Sequence, residues 1–212
     1  MFINSTGFFV PETSIPNSYF TDLNGLSDDW IYQRTGIKSR VRASEKETIN
    51  YMCQQAVDMA ARKLPYGITT VDLIIFASYT PSDTVGTTAH YIQREFGIEN
   101  AKVFYISSAC SSGMNAIEAV SAYFSAGLAK RALLICADRN SSFSDDTDSV
   151  AGHLWGDAAV AYFISNKRYH KSETEVLDID TQGLAHIGFG PEAVKLSLPH
   201  GGIQMPFGKD VF

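Results

Sequence analysis

The 212-residue sequence contains no apolar run approaching the ~18–20 residues that a membrane-spanning helix requires. Its opening residues, MFINSTGFFVPE, lack the basic stretch and following apolar stretch of a secretory signal, so none is expected. Cations are in the minority: 17 Lys and Arg against 23 Asp and Glu give a formal charge of −6. Nucleic acid, whose phosphates call for clustered Lys and Arg, is therefore not an expected partner. Cysteine is scarce as well. Cys53, Cys110 and Cys136 are odd in number and have neither disulfide nor zinc-site spacing. Reduced thiols, a cytoplasmic location and no metal centre are the expectation. Short internal repeats and low-complexity segments are also missing.

What is present describes an ordinary globular protein, 45% hydrophobic and 19% charged, long enough for one good core and short for two. FINSTGFFVP reads as a first strand closed by Pro11. LSDDWIYQRTG reads as a short helix capped by Ser27 or Asp28 and stopped by Gly36. In SEKETINYMCQQAVDMAARKL, Ser44 and Glu47 have capping-box spacing, and Ile49, Met52, Cys53, Ala56, Val57 and Ala60 follow at helical period. VDLIIFASY and RALLICAD are strands apolar on both faces, TTAHYIQREFG is a helix ending at Gly97, and AKVFYISSA is another strand. DAAVAYFIS and EVLDIDTQG follow as strands, and the rest of the tail reads as loops and a short hairpin. Strands alternating with helices predict an α/β layered sheet, mixed and mostly parallel, covered on both faces.

The helix predicted at 111–126 is unusual. Its single charge is Glu118, and Met114, Ile117, Val120, Tyr123, Phe124 and four alanines take up most of its circumference. A helix apolar nearly all round is buried on nearly all sides. One sheet covers one side, so these residues predict that half of a larger protein lies elsewhere; the alternative is cover by this chain's own loops.

Cys110, within SSACSSG, reads as standing at the first turn of this helix. Helix N-termini favour anions, and the thiolate is the reactive form of a thiol. Small neighbours admit a substrate carbonyl and leave backbone N–H groups near a developing oxyanion. Cys53 and Cys136 read instead as small core hydrophobes. A competing reading takes ACSSG as a hydrolase elbow with Ser111 as nucleophile, followed by Asp157 and His186 or His200. His90 and His153 read as solvated or hydrogen-bonded histidines.

DDWIYQRTGIKSR, ETINYMCQQAVDMA, VDLIIFASYTPSD, IQREFGI, SSACSSGMNAIEAV and LWGDAAVAYFIS occur in this order. Together they resemble the β-ketoacyl-acyl-carrier-protein synthase III branch of the thiolase-fold condensing enzymes. The resemblance implies a thiolase-like fold, with residues 1–212 forming the N-terminal half of an αβαβα sandwich whose C-terminal half is missing. It implies that Cys110 accepts an acyl group as a thioester and that a malonyl-type extender then attacks it by decarboxylative Claisen condensation, in fatty-acid or polyketide (alkylresorcinol-like) biosynthesis. The catalytic His and Asn of such enzymes belong to the other half, so this chain alone is expected to be inactive without that half in cis or in trans.

The same resemblance gives Trp30 and Arg34 a place on the coenzyme A adenine and phosphates, and Val85 and Trp155 a place along the acyl pocket. A second adenine-stacking arginine is expected where Ser149 stands, a departure that leaves room for a carrier-protein-bound primer. Gly156 and Asp157 match a structural turn, and His200 falls in a surface loop. No permanently bound cofactor is implied; the substrates are acyl-CoA or acyl-carrier-protein thioesters. The expected partners are acyl carrier protein, acyl-CoA and a second copy in a homodimer paired through AKVFYISS. A non-catalytic scaffold that binds a carrier or another partner is the alternative from outside enzymology.

Overall fold

The computed structural model describes residues 1–196 and 202–206. In chain order its strands and α-helices are β1 (Phe2–Phe9), β2 (Thr13–Pro16), α1 (Thr21–Asn24), α2 (Asp28–Thr35), β3 (Ser39–Arg42) and α3 (Ile49–Ala61). There follow β4 (Leu73–Ala77), α4 (Thr88–Glu95), β5 (Lys102–Ile106), α5 (Ser112–Ser125), β6 (Arg131–Arg139) and β7 (Asp157–Ser165). The short strands β8 (Thr174–Glu175), β9 (Lys195–Leu196) and β10 (Ile203–Gln204) complete the order. The chain divides into two compact units, one of residues 1–10, 45–138 and 158–181, the other of residues 11–44, 139–157 and 182–212.

The first unit is built on a six-stranded sheet in the order β5-β4-β6-β7-β1-β8. It is mixed: β4 runs parallel to both β5 and β6, whereas β1 is antiparallel to β7 and β8. Every residue of β4 is buried, as its unbroken LIIFA run requires. Leu73, Ile75 and Ala77 pack on Ala116 and Val120 of α5, with Ala132 and Leu134 of β6 alongside. Ile74 and Phe76 point to the opposite face and are equally buried. There α3 and α4 pack on each other, and α3 lies along β1. That approach is close because Gly7 faces α3: a Cβ at this position would stand 2.2 Å from the Ala56 carbonyl oxygen and 2.4 Å from the Ala60 nitrogen. Ser5, two residues earlier on the same face, donates its hydroxyl to the Ala60 carbonyl at 2.5 Å.

Two sequence expectations change here. The cap of α3 is Thr48, not Ser44, and its hydroxyl accepts the Tyr51 N–H at 3.2 Å. Thr48 has the extended backbone (φ −61°, ψ 161°) of a cap and directly precedes the apolar period, whereas Ser44 lies a turn upstream. Of EVLDIDTQG only Glu175 is in a strand, Thr174–Glu175 lying opposite Ile3 and Phe2; the Val176 N–H still reaches the Met1 carbonyl at 2.9 Å, where the edge runs out at the first residue. Beyond it, side chains of the segment turn to other partners: the Asp178 carboxylate accepts the Ile179 N–H at 2.9 Å, and Thr181 bonds Glu118.

In the second unit, β2 and β3 form an antiparallel ribbon and β9 and β10 a short antiparallel pair, as the expected hairpin. Helix α2 follows its predicted bounds, with the Ser27 hydroxyl accepting the Trp30 N–H at 3.2 Å and Gly36 closing the helix at φ 71°.

Candidate active site

Between β5 and α5 the chain turns through Ser107–Ser111, and the turn is strained. Ala109 has φ 52°, the sole positive φ at a non-glycine among the described residues. For an L-residue this left-handed conformation costs ~1–2 kcal/mol. Serines hold it in place. The Ser108 N–H donates to Ser112 Oγ at 2.9 Å, that hydroxyl donates to the Ala109 carbonyl at 2.6 Å, and Ser111 Oγ donates to the Ser108 carbonyl at 2.8 Å. The Ser112 N–H reaches the Ala109 carbonyl as well, at 3.2 Å. Cys110 sits at the summit of this elbow with its thiol exposed. It stands one residue before Ser111, the cap of α5, rather than inside the first helical turn as expected, because the Ala109 reversal delays the helix to Ser112. A sharp strand-to-helix turn that lifts a side chain clear of its surroundings is the geometry of a presented nucleophile.

The other thiols behave differently. Cys53 is fully buried, and burial pushes its thiol well above the ordinary range. Cys136 is half-buried on β6 and is pushed up to about 12, first by burial and then by the neighbouring Asp138 charge. Both fit the structural role expected of them. Burial raises the Asp138 carboxyl too, opposed by four bonds to its Oδ1: Ser78 Oγ at 2.9 Å, the Tyr79 and Thr80 N–H groups at 3.0 and 3.1 Å, and Thr80 Oγ1 at 2.8 Å. These bonds fix the chain as it leaves β4 towards Val85. Val85 itself stands at a loop apex with its side chain 86% exposed, its N–H held by Asp83 at 2.7 Å.

The face of α5 turned away from the sheet is incompletely covered. Ala116 and Val120 are buried, Ile117 and Tyr123 are partly so, and Met114 is 51% exposed. The expected all-round burial of this helix is therefore not met within its unit. On β1, Phe8 is likewise 58% exposed.

In the second unit, α2 brings Trp30 and Arg34 together. Their i, i+4 spacing lays the guanidinium over the indole, 4.1 Å from the ring centroid, and no ion pair engages Arg34 among the described residues. His153 meets Trp30 edge-on at 5.7 Å. This histidine is not a solvated ring: it is 2% exposed, and its Nδ1 has no hydrogen-bond partner among the described residues. Burial, and secondly the Arg40 charge, hold it below the usual histidine range. Its role went unseen because nothing in the local pattern GHLWG distinguishes a buried imidazole from an exposed one.

The helix is anchored by QRTGIKSRVR. Asn17 donates to Asp28 at 2.8 Å and to the Ile37 carbonyl at 2.6 Å, and accepts from Arg40 at 2.6 Å. Arg40 is itself buried, over the Phe20 ring at 4.7 Å. Arg42 grips both oxygens of Asp146 at 2.7 Å, and Tyr19 donates to the same carboxylate at 3.0 Å. Trp155 is half-buried and Ser149 exposed.

The residues of the hydrolase reading are otherwise engaged. Ser111 gives its hydroxyl to the Ser108 carbonyl, as above. Asp157, 2% exposed, accepts from the Ala43 N–H at 2.7 Å and from the Ser141 N–H and hydroxyl at 2.9 and 2.5 Å, which is a structural role. His186 is exposed, and His200 lies outside the described residues. His90 is exposed and shares a 3.0 Å hydrogen bond with Thr87.

The elbow falls within a segment that matches a known family. Residues 104–183 match the family described as 3-oxoacyl-[acyl-carrier-protein (ACP)] synthase III. The β-ketoacyl-[acyl-carrier-protein] synthase III of Anaplasma marginale is 35% identical over 156 residues, which cover 74% of this chain and 48% of that protein. The crystal structure of 3-oxoacyl-[acyl-carrier-protein] synthase III from Aquifex aeolicus superposes with a TM-score of 0.83 at 31% identity, over 97% of this chain and 64% of that one. The priming β-ketosynthase of the R1128 polyketide pathway superposes with a TM-score of 0.73 at 25% identity, over 77% and 49%. The chain thus spans about half the length of the curated relatives it matches. With its mixed α/β sheet, its strand–elbow–helix around Cys110 and these matches, the chain is 3-oxoacyl-[acyl-carrier-protein] synthase III-like with a thiolase-like fold, and corresponds to about half of such a protein.

Proposed function

We propose that this chain supplies the acyl-accepting half of a condensing enzyme. The Cys110 thiolate attacks the carbonyl of an acyl thioester, with its own backbone N–H as one donor to the oxyanion. The new S–C bond forms as the bond to the carrier sulfur breaks, and the carrier leaves as a thiol after taking a proton. A malonyl-type thioester then loses CO₂, and the resulting carbanion attacks the acyl carbon. The bond to Cys110 breaks and the thiolate is restored.

The observation that carries this reading is the exposed thiol on the strained Ala109 turn, set against two cysteines committed to the core. A His and an Asn for the decarboxylation come from a C-terminal thiolase-like half, in cis or in trans. The partly bare face of α5 and the exposed Phe8 support such a cover. Trp30 and Arg34 serve the adenine or phosphate end of the carrier, with a flat cation already laid on the indole. Val85 takes the place at the end of the acyl pocket of the partner copy, in a homodimer paired through the sheet-edge strand β5, and as a small residue leaves that pocket wide, whereas Trp155 acts to narrow it. The product is a fatty-acid or polyketide β-ketoacyl chain.

Incubation with an acyl-CoA or an acyl-pantetheine thioester tests the reading. Intact mass should rise by one acyl group, mapped to Cys110, released by hydroxylamine and absent from Cys110→Ala. An unchanged mass, or an acyl group elsewhere, would overturn it.

A further inference from the structure

Along α5 a line of polar groups runs back to the elbow, on a helix that is otherwise almost wholly apolar. Ser108 Oγ donates to Asn115 Oδ1 at 3.0 Å, Asn115 Nδ2 donates to Thr181 Oγ1 at 3.4 Å, and Thr181 Oγ1 donates to the Glu118 carboxylate. Asn115 and Glu118 lie one turn apart and share a face of the helix. Thr181 comes from the segment after β8, which offers no strand pairing of its own at this point. Every donor in the line points the same way, from the elbow towards the one charge of the helix. Ser108 is also the residue whose N–H and carbonyl close the turn around Ala109.

We infer that Asn115 and Thr181 are positioning residues for Cys110: they tether Ser108 and so hold Ala109 in the left-handed conformation that lifts the thiol in front of α5. This inference rests on Cys110 being the nucleophile. The physical argument is one of competition. Ala109 left to itself favours negative φ, and a turn relaxed in that direction carries Cys110 away from the free N–H groups of the helix start. Hydrogen bonds at Ser108 oppose that relaxation. Those of Ser111 and Ser112 act within the elbow, whereas Asn115 and Thr181 connect it to the body of the helix.

The test uses the whole chain and iodoacetamide, with labelling mapped by peptide mass. Thr181→Val is nearly isosteric and removes the hydroxyl; Thr181→Ser keeps the hydroxyl and removes a methyl. The expected result is a three- to tenfold slower alkylation of Cys110 in Thr181→Val and in Asn115→Leu, with Thr181→Ser within twofold of the parent chain. A packing role predicts the reverse order for the two Thr181 variants, and that result would overturn the inference. Unchanged or faster labelling in Thr181→Val and Asn115→Leu, with fast labelling in the parent, would overturn it too. Slow labelling of Cys110 in the parent chain would instead defeat the reading of Cys110 as nucleophile on which the inference rests. Hydrogen exchange at β4 amides serves as the folding control, and a variant that loses protection there is replaced by Asn115→Ser.

Discussion

Replacing Ala109 by glycine puts a number on the strain at the elbow. Glycine in place of alanine ordinarily destabilises a folded chain by roughly 0.4–1 kcal/mol, because the unfolded state gains freedom. At φ 52°, however, alanine already carries the ~1–2 kcal/mol cost of a left-handed L-residue, and glycine does not. The two effects oppose each other, and the larger is the relief of strain. Ala109→Gly should therefore be neutral to stabilising by up to ~1.6 kcal/mol, or a rise of up to ~3–6 °C in Tm for a chain of this size. Ala109→Val should fall on the other side, since a β-branched residue at positive φ is a true outlier. Paired urea and thermal unfolding of the three proteins reads both values. A loss of ~1 kcal/mol in Ala109→Gly, like that at an ordinary surface alanine, would refute the claim that the elbow is strained.

Other consequences follow from single contacts. Gly7→Ala drives a Cβ into the α3 backbone at 2.2 Å, where no side chain can rotate away, and should cost ~1–3 kcal/mol by thermal unfolding. Asp146→Ala leaves the mostly buried Arg42 guanidinium without its carboxylate and should cost ~1–3 kcal/mol, with no change in the alkylation rate of Cys110. His153 has a folded value below its unfolded one, so its contribution is complete above the ordinary value of ~6.5. That contribution declines as the pH falls from there towards the lower folded value. His153→Gln should accordingly flatten the drop in urea midpoint between pH 7.5 and pH 5.5.

The sequence displays these features unequally. The core of the first unit was legible because LIIFA and RALLICAD are too apolar to lie anywhere but inside a sheet. The period of Ile49, Met52, Ala56 and Ala60 likewise has only one face to bury. Cys110 stood out because small residues surround it where a strand gives way to a helix. The backbone of Ala109 did not stand out, since nothing in SSACSSG names an alanine as the left-handed residue when a glycine follows four positions later. The line from Ser108 to Glu118 was also hidden, because one of its members, Thr181, lies 66 positions from Asn115. His153 and Arg40 were missed for a similar reason: their burial is a product of ring contacts and charges contributed by distant segments. Thr48 outcompeted Ser44 at a helix start where both had a suitable side chain, because Thr48 directly precedes the helix and its hydroxyl meets the Tyr51 N–H. The apolar circumference of α5 predicted all-round cover that its own unit provides only in part, Met114 standing exposed.

Of the three thiols, that of Cys110 alone is exposed for chemistry. Time-resolved alkylation of the native chain at neutral pH, with each cysteine quantified by peptide mass, tests it most directly. The account predicts that Cys110 is labelled first and stoichiometrically, and more slowly when an acyl thioester is present, while Cys53 and Cys136 react only on unfolding. Labelling of Cys110 as slow as that of the two core thiols, or indifferent to the thioester, would contradict it.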